Sequence, residues 1–221
     1  MPATEKVTKE KIIRAVLDSA FDKSVGGTSL ADISEKLGIK KASLYNHYES
    51  RDAMIDDTVA YCSETLRKTS FIPADMVATA QKYPAETVLK GIVNRWFKLN
   101  EKEPLLQVAV FVESEKYFSN QAAAIVTETR AKLIEQTVSA LKSLADAQKI
   151  SALDDAGAKE YASLFVSALR DLLDTHLTDK KVQIRSNPET GSDTLFAAPA
   201  EEPDYADIDR LVERFCALLK K

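Results

Sequence analysis

The sequence predicts an all-α chain: an N-terminal three-helix domain of helix-turn-helix type, followed by a larger helical bundle. Three observations carry this. Glycine (6) and proline (7) are scarce over 221 residues, which leaves little punctuation for many short strands. Apolar residues recur at three- and four-residue steps along most of the chain. Two short amphipathic segments meet at a tight turn around Gly38, the grammar of a helix-turn-helix.

The first helix is expected to start at Thr8, a good N-cap, with Ile13, Val16, Leu17, Ala20 and Phe21 inward. Val25-Gly26-Gly27 should end it through a left-handed glycine. Ser29 and Asp32 stand in a capping-box relation at the head of a second helix, whose face is Leu30, Ile33 and Leu37. Gly38 stops that helix. A third begins near Lys41 with Leu44 and Tyr48 inward, and Ser50 caps a fourth. Longer helices are predicted over 85–100, 105–118, 122–147, 155–177 and 206–220. Residues 179–206, with Pro188, Gly191, Pro199 and Pro203, read as an irregular loop. The domain boundary falls at 52/53: 1–52 holds the helix-turn-helix (about 29–48), and 53–221 the bundle.

Composition excludes several classes. With 45% hydrophobic and 29% charged residues, the chain is ordinary for a globular protein and long enough to bury a substantial core. Its apolar runs fall far short of the ~20 residues of a membrane span. The polar N-terminus MPATEKVTKEK is not a signal peptide. Cys62 and Cys216 make neither a disulfide framework nor a paired-cysteine site, and are expected to be buried small hydrophobes. A cytoplasmic protein without membrane contact is expected. The net charge is −4, but nine basic against seven acidic residues through position 51 leave +2 there and −6 in the remainder. The N-terminal part is therefore the better candidate for meeting phosphate.

The informative stretch is TSLADISEKLGIKKASLYNHYESRDAM, Thr28 to Met54. In a helix-turn-helix the second helix enters the major groove, so its start needs small or hydrogen-bonding side chains. Lys40, Lys41, Ala42 and Ser43 fit. Lysine donates to guanine, serine to several bases or a phosphate, and alanine touches a thymine methyl. Tyr45, His47 and Arg51 lie where side chains reach phosphate oxygens. The run resembles the DNA-binding domain of tetracycline-repressor (TetR) family regulators. The likeness lies in T-S-L-x-D-I, the L-G-I turn, K-x-S-L-Y-x-H-Y and the following S-R-D-x-M. It implies that Leu44 goes to the core and Tyr45 to the DNA backbone, that Tyr48 packs inside, and that Arg51 stands for the family's phosphate-contacting lysine. The family often has Ser or Thr where this chain has Lys40. Lysine cannot accept the orphan N–H bonds, and losing such a cap costs ~0.5–2 kcal/mol.

The resemblance also implies a homodimer, paired through helices at about 158–177 and 206–220, on a palindromic double-stranded operator. Trp96, Phe97, Phe111, Tyr117 and Phe165, with Glu113 as a polar anchor, are the candidate lining of a small-molecule effector cavity between bundle helices. Taken singly, each of these aromatics reads as core before it reads as pocket, and only together do they suggest a cavity. His176 continues an apolar stripe and is expected to be a packed histidine. No metal cluster, nucleophile elbow, phosphate loop or dinucleotide fingerprint occurs, so neither cofactor, metal nor catalysis is expected. The reading is a transcriptional repressor released by an effector. The alternatives are a regulator that is constitutive or gated by a partner protein, with 179–206 as an interaction loop, and a ligand carrier or enzyme that has kept the helical fold.

Overall fold

The structure, a computed structural model, describes residues 7–186 and 205–220. Among these the elements are α1 (Lys9–Lys23), α2 (Leu30–Lys36), α3 (Lys41–Leu44), α4 (Arg51–Lys68), α5 (Met76–Lys82), α6 (Ala85–Asn100), α7 (Leu105–Glu115), α8 (Asn120–Asp146), α9 (Asp155–Ser186) and α10 (Ala206–Leu218). No strand occurs among the described residues, and no described helix is long and apolar enough to cross a membrane.

The described residues pack as two compact units. One lies within Met1–Thr69 and Lys102–Thr129, the other within Ser70–Glu101 and Arg130–Lys221. The unit that holds α1–α3 is thus larger than residues 1–52, because α1 packs on α4 and α7 as well as on α2. Its core is one apolar cluster in which Ile12, Val16, Ile33, Leu44, Met54, Cys62 and Phe111 take part. The α1–α7 contact also buries polar groups. Gln107 Nε2 donates to Asp18 Oδ1 across 3.5 Å. Burial, then the neighbouring charge of Glu103, pushes the Asp18 carboxyl above its ordinary range.

In the second unit α10 docks on α6 and α9. Phe165 stacks on Phe215 with ring centroids 4.4 Å apart, and Phe71 meets Trp96 edge-on at 5.6 Å. The turn before α5 is tied down by Arg95, whose guanidinium donates to the carbonyls of Ser70 (2.7 Å) and Phe71 (3.0 Å), and by Gln136, which accepts from the Phe71 amide at 2.8 Å. His176 is packed as expected: its Nε2 lies 2.8 Å from Glu101 Oε1, which also accepts from the Tyr205 hydroxyl at 2.9 Å. Both cysteines are free and buried, and desolvation raises their thiols to about 12 (Cys62) and about 11 (Cys216), which keeps them protonated and unreactive.

Two expectations are corrected. The loop expected over 179–206 starts later: α9 runs unbroken to Ser186, since no glycine or proline interrupts it before Pro188 and Arg185 suits the negative end of a helix dipole. The rest of that loop, 187–204, lies outside the described residues. The left-handed residue after α1 is Ser24, with φ 72°, and not a glycine. Gly27 is needed for another reason: a Cβ there would stand 2.4 Å from the Lys23 carbonyl oxygen. The sequence predicts no element over α5, whose seven residues are too few for a stable periodic signal.

Candidate nucleic-acid interface

The interface begins with the capping of α2. Ser29 Oγ accepts from the Asp32 amide at 3.2 Å, and the Ser29 amide donates to Asp32 Oδ2 at 2.8 Å, completing the expected capping box. Lys23 adds an ion pair to Asp32 at 2.6 Å. Together Lys23 and then Ser29 hold this carboxyl far below the usual range. The helix ends at Gly38, whose φ of 63° is the left-handed conformation that glycine reaches without a Cβ clash. The Ile39 amide closes the turn onto the Ser34 carbonyl at 3.0 Å.

The next helix is only four residues long, too short to stand by its own hydrogen bonds. Two inward side chains hold it. Leu44 is completely buried, and Tyr48 packs beside it in the same cluster. The Tyr48 hydroxyl donates to Asp57 Oδ2 at 2.5 Å, and the Lys9 ammonium lies 4.8 Å above its ring. Burial, then the Asp57 carboxylate, raises the Tyr48 hydroxyl well above its ordinary range, so it stays neutral. As expected, Lys40 stands at the N-cap without a side-chain cap bond.

Around these anchors the other residues face outward. Lys40, Lys41 and Ala42 are exposed, Ser43 and His47 are half-buried, and Tyr45 is 52% exposed. Neither Lys40 nor Lys41 has an ion-pair partner among the described residues. Asn46, which is not among the candidates named above, is exposed between Tyr45 and His47. Its residue type was the available signal, since asparagine matches the adenine edge. Arg51 is placed differently from the rest. It is turned toward the loop before α2, where its Nε donates to the Thr28 carbonyl at 2.9 Å and a terminal nitrogen to the Val25 carbonyl.

The six residues suggested for an effector cavity are divided between the two units. Trp96, Phe97 and Phe165 are buried core of the second unit. Phe111 is buried core of the first, Glu113 is paired with Lys116 at 2.7 Å, and Tyr117 is 80% exposed. Helical periodicity marks an inward residue without saying which interior it enters.

A small recognition segment anchored by Leu44 and Tyr48, with only helices as regular structure among the described residues, defines a helix-turn-helix protein. Residues 12–58 match the family described as bacterial regulatory proteins, tetR family. It is 38% identical over 112 residues to the biofilm operon icaADBC HTH-type negative transcriptional regulator IcaR of Staphylococcus aureus, a match that takes in 51% of this chain and 58% of the relative. The Staphylococcus epidermidis protein of the same name is 41% identical over 54 residues, 24% of this chain and 29% of that one. The chain thus spans little more than half the length of the curated relatives it matches. Among solved structures, a TetR transcription regulator from Haloarcula marismortui superposes with a TM-score of 0.61 at 9% identity, covering 96% of this chain and 98% of that one. Salmonella enterica GusR superposes with a TM-score of 0.55 at 18% identity, covering 96% and 94%. At such identities these two speak for the fold alone.

Proposed function

We propose that the protein is a cytoplasmic, homodimeric transcriptional repressor that sets α3 and the following turn into the major groove of a palindromic operator. One observation carries this reading: Lys41, Ala42, Tyr45 and Asn46 all face outward over a buried Leu44–Tyr48 anchor. In this reading Lys41, Ala42, Ser43 and Asn46 meet base edges, Tyr45 and His47 meet phosphates, and Lys40 adds positive potential at the turn. The naming of the staphylococcal relatives as negative regulators favours repression. Dimerisation through α9 and α10 is supported by Leu164 and Leu218, apolar side chains 58% and 60% exposed on those helices.

The test is a genome-wide DNA pull-down followed by mobility shifts on the recovered site. Tyr45→Ala should weaken binding to every duplex alike. Lys41→Ala should cost about 1–3 kcal/mol at its base pair and relax the preference there. Full operator affinity in both variants would remove these contacts from the reading.

Release by a small effector is supported by Trp96. Its indole N–H is buried in the second unit and has no acceptor among the described residues. An unmet buried donor costs ~1–3 kcal/mol, and a ligand carrying an acceptor oxygen would satisfy it. Such a ligand acts only if it binds the DNA-free geometry more tightly than the DNA-bound one. Trp96 is the chain's single tryptophan, so its fluorescence reports on this site directly. A compound that releases DNA should shift the emission. Release with an unchanged spectrum would place the effector elsewhere.

A further inference from the structure

We infer that Arg51 is a positioning residue, which locks the turn between α1 and α2 and leaves the phosphate to other side chains. The inference rests on the helix-turn-helix reading above and reverses the role that the resemblance gave this residue. The Arg51 guanidinium is spent inward: Nε on the Thr28 carbonyl at 2.9 Å and a terminal nitrogen on that of Val25. The two carbonyls flank Gly26 and Gly27, which have no side chain to restrict their backbone. Thr28 is itself buried, and its hydroxyl donates to the Ser24 carbonyl at 2.8 Å. The next residue, Ser29, is the N-cap of α2. One side chain thus ties the first turn of α4 to the entry of the helix-turn-helix.

The electrostatic surroundings point the same way. Nη1 lies 3.7 Å from Asp52 Oδ1. Arg51, Asp52, Asp56 and Glu115 line a common cavity of about 200 Å³. Burial raises the Glu115 carboxyl, and the charge of Arg51 partly offsets this. A phosphate at Arg51 would have to share the guanidinium with the carboxylates of Asp52, Asp56 and Glu115, which line the same cavity. Its planar fork fits two carbonyls at once, which a lysine ammonium cannot reproduce.

Arg51→Lys therefore separates the two roles, because it keeps the charge and loses the fork. Two measurements are made on the full chain with Arg51→Lys and Arg51→Gln: amide hydrogen exchange at residues 26–32 without DNA, and affinity for a mixed-sequence duplex as a function of salt. Both variants should exchange at least about tenfold faster there than the parent, since a local opening tracks the interactions that close it. Both should also bind the duplex more weakly with the parent's salt slope. Parent-like exchange in Arg51→Lys overturns the inference. So does parent-like duplex affinity in Arg51→Lys combined with a salt slope smaller by about 1 in Arg51→Gln, the mark of a lost phosphate contact. A parent chain that binds no duplex would sink the DNA-binding reading instead, and the exchange measurement would still decide the brace.

Discussion

Leu44→Ala is expected to weaken specific DNA binding by more than tenfold although Leu44 touches no DNA in the proposed docking. The side chain is fully buried, and it is the one buried residue within a helix of four. Truncating a buried leucine costs about 2–5 kcal/mol, the lost transfer energy plus the cavity left behind. A helix this short has no cooperative reserve of its own, so the loss falls directly on the population of the folded recognition segment. At about 1.4 kcal/mol per tenfold, affinity should drop by more than an order of magnitude. Denaturant unfolding and a mobility shift on the same protein check this. An unchanged unfolding midpoint would show that the anchor is dispensable and that α3 is held by something else.

The second large effect is expected from Phe165→Ala. This ring stacks on Phe215 at 4.4 Å in the joint between α9 and α10. A phenylalanine deletion in a core costs about 3–5 kcal/mol, and a paired ring contributes up to about 1.5 kcal/mol of that through geometry. The cost should concentrate on α10, whose inner face is Ile208, Val212, Phe215 and Cys216. Amide exchange across 206–218 should accelerate sharply, and the melting temperature should fall by several degrees. If Phe165→Ala weakened only the response to a releasing compound and left exchange and melting unchanged, Phe165 would be a ligand contact and not part of the core.

The Arg51 brace and the Leu44 anchor act on the same segment from opposite ends. Leu44 fixes the recognition helix from beneath, while Arg51 fixes the entry to α2 from the side of α4. The capping box of Ser29 and Asp32 lies between them. The helix-turn-helix is thus positioned by apolar burial and backbone grips together, and its outward lysines carry none of that burden.

How much of this was legible in the sequence follows from the range of the interactions. The capping box, the Gly38 turn and the Leu44–Tyr48 spacing arise between residues at most six apart, so their chemistry is written in adjacent letters. The uncapped start at Lys40 was readable for the same reason. The partners of Arg51 lie 23 and 26 positions away in the chain, and no local pattern announces them. The aromatics at 96, 97, 111 and 165 share one helical rhythm, yet only packing divided them between two interiors. The sequence by itself determined where helices begin and turn and which face of each is apolar, because those follow from nearest-neighbour hydrogen bonding and periodicity. Tertiary structure alone decided which interior each apolar face enters and whether a surface cation is free to meet a phosphate, because those depend on groups that meet only once the chain has folded back on itself.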